Sequence, residues 1–443
     1  MGEKAGDSAM LRRIISASLA GTVLEWYDFF LYGFTAALVF GKVFFPTYSP
    51  LTATLASFGT LAVGFVARPL GGMLFGHFGD RMGRKAALIF TLAIMGGATF
   101  LIGLLPTYET IGVAAPVLLI VLRCLQGIGL GGEWGGAVLM TLEHAPRERR
   151  GFYGSLVQLG AGTGLALATA VLLIGSLMPG DAFLKWGWRI PFLASVVLLV
   201  VGVYIRSSIS ETPEFKRVRE KGDIVKVPLL TVLRRYPKQA LSTAGIYLGA
   251  ITVPFYTVWV FLVYYTTDKL HVDRSAVLSA VVITNFVLLG ATVAGGIISD
   301  RIGQRLTFMI GGACQAAIAF PLFWIVQSGS ALSVGVGMLL FAAPLWFLWG
   351  GLAAFLSDQF PADVRYTGIS LGSQSATIIG GFVPFFATAI FPVAGTWPVS
   401  ALVVFCSCLT ILSAVFATRG AASTVGSEGL GYRDPHVREG VNL

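Results

Sequence analysis

Long apolar runs divided by short polar breaks set the pattern of this chain. Asp, Glu, Lys and Arg are absent from 86–108, 151–180, 239–267, 275–299, 306–357 and 366–418. A bilayer core takes roughly 20 apolar residues per helix, so each of the last two runs is long enough for two spans. Gln327-Ser328-Gly329-Ser330 breaks the first of these, and residues 392–398, bounded by prolines, break the second. The pattern predicts twelve helices near 14–40, 54–77, 86–105, 113–141, 151–178, 188–206, 239–267, 275–299, 306–327, 331–357, 367–392 and 397–418. Open sheets are excluded, because their unpaired edges cannot face lipid. The expected class is an all-α polytopic membrane protein.

Two of the polar breaks are nearly the same. Gly76-His77-Phe78-Gly79-Asp80-Arg81-Met82-Gly83-Arg84-Lys85 joins the second and third spans, and Gly296-Ile297-Ile298-Ser299-Asp300-Arg301-Ile302-Gly303-Gln304-Arg305 joins the eighth and ninth. A second pair of markers follows in the same order, Pro146 to Gly151 after the fourth span and Pro361 to Gly368 after the tenth. Repeats of this kind mark an internally duplicated transporter, here six spans plus six. The longest internal polar stretch, 207–238, then reads as a linker with a surface helix; it carries Glu211, Glu214, Lys216, Arg217, Arg219, Glu220, Lys221 and Asp223. The expected units are 1–206, the linker 207–238, 239–418, and a disordered tail 419–443.

Composition sharpens this reading. The 443 residues are 55% hydrophobic and 12% charged, with a mean hydropathy of +0.79. Soluble domains carry about 25% charged residues. The net charge of +9 would suit nucleic acid, but its placement follows topology instead. With the N-terminus inside, cytoplasmic segments hold 24 of the 31 Lys and Arg, and the outer loops hold Lys42, Lys185, Arg189, Lys269 and Arg274. This asymmetry predicts both termini in the cytoplasm. The four cysteines fall within spans, without metal-ligand spacing to the four histidines. No cofactor or metal is expected, and nucleic acid is not an expected partner. The bilayer, protons and a small molecule are, with the chain as a monomer.

The hinge segments resemble the inter-helix motif of the major facilitator superfamily. Within it, the chain is similar to the metabolite:proton symporters, which carry shikimate, 2-oxoglutarate, citrate or proline and betaine. Glu25-Trp26-Tyr27-Asp28-Phe29, Ala67-Arg68-Pro69-Leu70-Gly71-Gly72, Arg123-Cys124-Leu125-Gln126-Gly127, Gly131-Gly132-Glu133-Trp134-Gly135-Gly136 and Trp186-Gly187-Trp188-Arg189-Ile190-Pro191-Phe192 carry the likeness. It implies the twelve-helix facilitator fold, a bacterial inner-membrane location, and a contact from Asp80 to the eleventh helix. A fifth-helix motif of proton antiporters has a Pro that Gly160-Ala161-Gly162-Thr163-Gly164 lacks, which favours symport.

Charges inside spans are the candidates for chemistry, since one mid-helix Asp, Lys or Arg costs on the order of 2.5–3.5 kcal/mol to insert. Glu25 and Asp28 are three apart on one helix and share a face. Burial and a like charge both favour the protonated carboxyl, so one of them could couple protons; a structural ion pair is the alternative. Arg123, Gln126 and Glu133 form one polar stripe on the fourth span. Arg123 could hold a substrate carboxylate with its planar fork, or pair with Glu25, Asp28 or Glu133. Arg68 on the second span could serve substrate or a proton relay, or form a structural ion pair. Gln158, Tyr256, Trp259 and Asn285 are further candidates for the substrate cavity. Gly127-Ile128-Gly129-Leu130-Gly131-Gly132 fits a dinucleotide fingerprint in letters only, because it lies in a membrane helix; its glycines are spaced for close helix packing. In the hinges, Asp80 and Asp300 can accept from free N–H groups at a neighbouring helix start. Arg81, Arg84, Lys85 and Arg301 can pair with acids at inner helix ends such as Glu143. The expected result is a gate on that side.

Overall fold

The computed structural model describes residues 2–176, 178, 182–208, 211, 215, 219, 220 and 228–417. The expected tail and most of the expected linker lie outside the described residues. The molecule is helical, with no strand among the described residues. Its spans are α1 (Gly2–Thr35), α2 (Pro50–Met82), α3 (Arg84–Leu104), α4 (Ala114–Leu142), α5 (Arg150–Gln158, continued by Gly160–Ser176) and α6 (Arg189–Ser207). They continue with α7 (from Pro237–Ile246 through π turns to Lys269), α8 (Arg274–Ile302), α9 (Gln304–Ile318, continued by Pro321–Val326), α10 (Ala331–Ser357), α11 (Arg365–Ala394) and α12 (Trp397–Phe416). These twelve spans form two bundles of six. Nine helices among the described residues are long and apolar enough to cross a membrane.

Local chemistry sets the helix ends. Ser49, Asp273 and Ser330 start α2, α8 and α10 by accepting from the N–H three residues on. Gly83 and Gly303, the last glycines of the two hinges, have φ of +114° and +89°. An L side chain would be strained there, so glycine lets α2 turn directly into α3, and α8 into α9. Pro321 has no N–H to donate and interrupts α9.

Glycine also lets the helices approach. A side chain at Gly127 would meet the Gly64 carbonyl, and one at Gly131 would meet the carbonyl of Arg68. The glycine run on α4 is therefore the seat of α2, as its spacing predicts. Between the bundles, α2 packs on α11, while α5 packs on α8 and α10.

Candidate functional site

A cavity of about 40 Å³ lies between the bundles. A water needs at least about 10–15 Å³ by this measure, so the space holds a few waters at most. The space is too small for a metabolite, which needs the bundles to part. From the first bundle, α1 lines it with Glu25, Trp26 and Phe29, α2 with Arg68, and α4 with Trp134. From the second, α7 supplies Tyr247, Ile251, Thr252, Phe255 and Tyr256, α10 supplies Trp349, and α11 supplies Thr377.

The α7 contribution follows from its backbone. Tyr247–Thr252 and Thr257–Phe261 are π turns. Their i→i+5 bonding brings residues five apart onto one side, so Tyr247 and Thr252 both reach the cavity. The two candidates of this helix, Tyr256 and Trp259, part company there. Tyr256 lines the cavity, packed at 5.9 Å on Phe65 of α2, but Trp259 is not in the lining.

Glu25 and Arg68 are the charged groups of the lining, and neither forms an ion pair among the described residues. Arg68 is buried, its guanidinium 4.9 Å from the ring centre of Phe65 and 5.9 Å from that of Phe29. The Oε2 of Glu25 and the indole Nε1 of Trp26 have no hydrogen-bond partner among the described residues.

Asp28 does not share this cavity. It turns to α3, where Thr99 Oγ1 donates to its Oδ2 at 2.7 Å. Gln126 Nε2 donates to the same Thr99 oxygen at 2.7 Å, and Arg123 donates to Gln126 Oε1. The Arg123 guanidinium lies 4.1 Å over the Tyr32 ring, and Gly64 leaves it room. Four residues from three helices thus form one buried chain from Arg123 to Asp28.

Glu133 lies elsewhere. Arg206 of α6 holds both its oxygens, with Nη1 to Oε2 at 2.8 Å, and Thr91 adds a bond of 2.8 Å. The stripe expected on α4 therefore splits between two networks. Gln158 is behind the lining: it accepts from the Trp134 indole at 2.9 Å and exchanges two 3.4 Å bonds with Trp349 across the bundles. Asn285 is buried against Gly162 of α5, away from the cavity lining.

At the hinge end the bundles are tied by two related clusters. Asp80 accepts from the backbone N–H of Tyr366 at 3.3 Å and Thr367 at 2.9 Å, the first turn of α11. Arg84 lies 3.5 Å from both Asp80 and Glu143, and Arg365 lies 3.4 Å from Glu143. Asp300 likewise accepts from Gly151 at 2.6 Å and Phe152 at 2.9 Å, the first turn of α5. Gln304 and Arg150 reach Asp358 at 2.9 and 3.5 Å. Lys85 donates to the Ser207 carbonyl at 2.6 Å instead, and Glu211 accepts from the N–H groups of Arg84 and Lys85. Arg81 contacts His77, and Arg301 is exposed.

Residues 18–384 match the Major Facilitator Superfamily. The chain belongs to the major facilitator superfamily. It is 39% identical to the shikimate transporter of Escherichia coli K12 over 408 residues, which is 90% of this chain and 92% of that one. It is 34% identical to the proline/betaine transporter of the same strain over 391 residues, covering 86% and 78%. Among solved structures it is similar to the proton:xylose symporter XylE bound to 6-bromo-6-deoxy-D-glucose, with a TM-score of 0.72, 18% identity and coverage of 93% and 95%. That likeness is one of fold. As a facilitator, the chain is a membrane transporter of small molecules and not an enzyme. Sequence reasoning missed Trp26 and Phe29, though both lie in the Glu25–Phe29 motif. It also missed Thr99, Arg150, Asp358 and Arg206. The last was counted among the cytoplasmic charges because it ends its span.

Proposed function

We propose that this transporter is a proton-coupled symporter that imports a small organic acid by alternating access. One observation carries the reading: an arginine, Arg68, and a carboxyl, Glu25, both without an ion pair among the described residues, face the same cavity between the two bundles. A guanidinium in that place suits a substrate carboxylate. Ionisable groups kept inside a membrane protein mark substrate and proton pathways. Glu25 and Asp28 are the proposed proton carriers, one at the cavity and one behind it. The substrates after which the relatives are named, shikimate and proline or betaine, each carry a carboxylate and support the class.

In this reading the hinge end faces the cytoplasm, both termini lie there, and the bundles are 1–206 and 239–418. The two hinge clusters hold that side closed, and their release opens the cavity inward. The protein acts as a monomer in the bacterial inner membrane. The test is uptake into proteoliposomes. Acid outside should drive accumulation of the substrate above its external concentration, and a protonophore should abolish it. Uptake indifferent to the imposed gradient would overturn the symport reading.

A zwitterion is the second reading, favoured by the rings of Trp26, Phe255, Tyr256 and Trp349 around the cavity. Such faces attract a quaternary ammonium group.

A further inference from the structure

The charges of the cavity limit how many carboxylates its ligand can carry. Arg68 is the cation among the lining residues. Arg123, the other cation inside the first bundle's spans that could serve substrate, is committed to Gln126 and to the face of Tyr32 at 4.1 Å. Beyond Arg68 and Glu25 the wall is mostly aromatic, including Trp26, Tyr247, Phe255, Tyr256 and Trp349. Two buried polar atoms at that wall, Trp26 Nε1 and Glu25 Oε2, have no hydrogen-bond partner among the described residues.

We propose that the ligand is a monocarboxylate, with its single carboxylate on Arg68 and a non-acidic body against the rings. This rests on the transport reading above and narrows its substrate class. One guanidinium edge takes one carboxylate through two parallel bonds. Once it is engaged, no positive charge remains in the lining for a second. A second carboxylate would meet ring faces, which are negative, Glu25, or neutral donors such as Trp26 Nε1, none of which offsets the cost of burying a second charge. A coupled proton on Glu25 removes the repulsion but supplies no attraction. An acceptor on the body satisfies Trp26 Nε1, and a hydroxyl or a cation on it satisfies Glu25. A hydroxylated ring and a quaternary ammonium both meet these terms, so the shared chemistry is one carboxylate without a second acid.

The test is calorimetric titration of the purified full chain with matched probes: cyclohexanecarboxylate and the trans-dicarboxylate of the same ring, shikimate, glycine betaine, and 2-oxoglutarate. At least one monocarboxylate should bind, and the dicarboxylates should bind at least about a hundredfold more weakly, as expected for a buried charge without a partner. Shikimate against betaine decides which body the rings accept. Arg68→Gln should lower monocarboxylate affinity by at least about tenfold. Arg68→Lys, which keeps the charge but loses the fork, should fall between and keep the preference for one carboxylate. Thermal melting of each variant shows that it is folded. The proposal is overturned if a dicarboxylate binds as tightly as its monocarboxylate partner, if no monocarboxylate binds, or if folded Arg68→Gln keeps full affinity. Proton-driven accumulation of a dicarboxylate would refute it and leave symport standing. Tight monocarboxylate binding with uptake blind to the pH gradient would do the reverse.

Discussion

The hydroxyl of Tyr366, on the second bundle, donates a 2.6 Å hydrogen bond to the backbone carbonyl of Gly132 on the first. Its ring sits in a glycine socket, for side chains at Gly79, Gly135 or Gly136 would each meet it. The same residue's N–H bonds to Asp80. Two positions beyond Gly132 is Trp134, which lines the cavity and is held by Gln158. Hinge and cavity are thus joined through one turn of α4.

Removing that hydroxyl should loosen the hinge end. Interhelical hydrogen bonds in membrane proteins contribute about 0.6 kcal/mol on average and up to about 1.7. Tyr366→Phe should therefore shift the closed-to-open ratio at the hinge end by about threefold to eighteenfold. Gly136→Ala should shift it further, because the added methyl would lie 2.6 Å from the Tyr366 oxygen. Thiol labelling of single cysteines placed beside the hinges measures the shift. Labelling unchanged in both variants would contradict the role given to the socket.

The two hinge clusters should not be equal. Arg84, deeply buried, links Asp80 to Glu143, whereas Gln304 stands at its counterpart position and Asp358 is 42% exposed. Hydrogen bonds to a charged acceptor contribute about 1.5–3 kcal/mol each. An asparagine keeps one acceptor oxygen and turns an N–H₂ toward the second backbone donor. Asp80→Asn should therefore open the hinge end more than Asp300→Asn does. Raising salt should weaken the Arg150–Asp358 side more than the buried Arg84 side. Labelling rates of the two variants across a salt series check both statements.

The coarse plan was legible because its signals are local. Lipid demands apolar runs, φ above zero demands Gly83 and Gly303, and a charged hinge repeated in order announces duplication. Asp80 and Asp300 could be picked out because an acid before a glycine turn has few other uses. What was not legible is which polar groups meet across helices. Glu25 and Asp28 are three apart on α1, yet one faces the cavity and the other Thr99. Spacing gives a shared face, but the neighbours on that face depend on helix rotation. Glu133 looked like part of a stripe until Arg206, from another helix, claimed both its oxygens. The π turns of α7 shifted Trp259 off the face that a uniform helix would give it.

Thr99 should act in proton coupling without touching substrate. Its single hydroxyl proton has two acceptors, Asp28 Oδ2 at 2.7 Å and the Met95 carbonyl at 3.0 Å. An ionised Asp28 takes that proton's bond. A protonated Asp28 can instead donate to Thr99, which then turns its own proton to Met95. In the second state Thr99 Oγ1 accepts from both Asp28 and Gln126, so the protonation of Asp28 is felt at Gln126 and, through it, at Arg123. Thr99→Val removes this choice at nearly constant volume. Proton-driven accumulation should fall by at least about tenfold, with ligand affinity within about threefold of the parent. Asp28→Asn should lose accumulation altogether and retain downhill exchange. Accumulation unaltered in both would remove Asp28 from the coupling path.

Glu133 offers the sharpest test of structural against substrate use. Its two oxygens are taken by Arg206 and Thr91, both it and Arg206 are buried, and it is absent from the cavity lining. Glycine at position 21 makes room for the pair, since a side chain there would meet Arg206 and Glu133. Deleting one member of a buried pair strands the other charge, at a cost of about 3–5 kcal/mol. Replacing both by apolar groups of similar volume avoids that. Glu133→Gln should therefore lower the melting temperature by several degrees, and Glu133→Leu combined with Arg206→Met should restore most of the loss. Ligand affinity of the folded Glu133→Gln protein should stay within about threefold of the parent, because no cavity contact is removed. A large loss of affinity at unchanged melting temperature would instead put Glu133 in the substrate path.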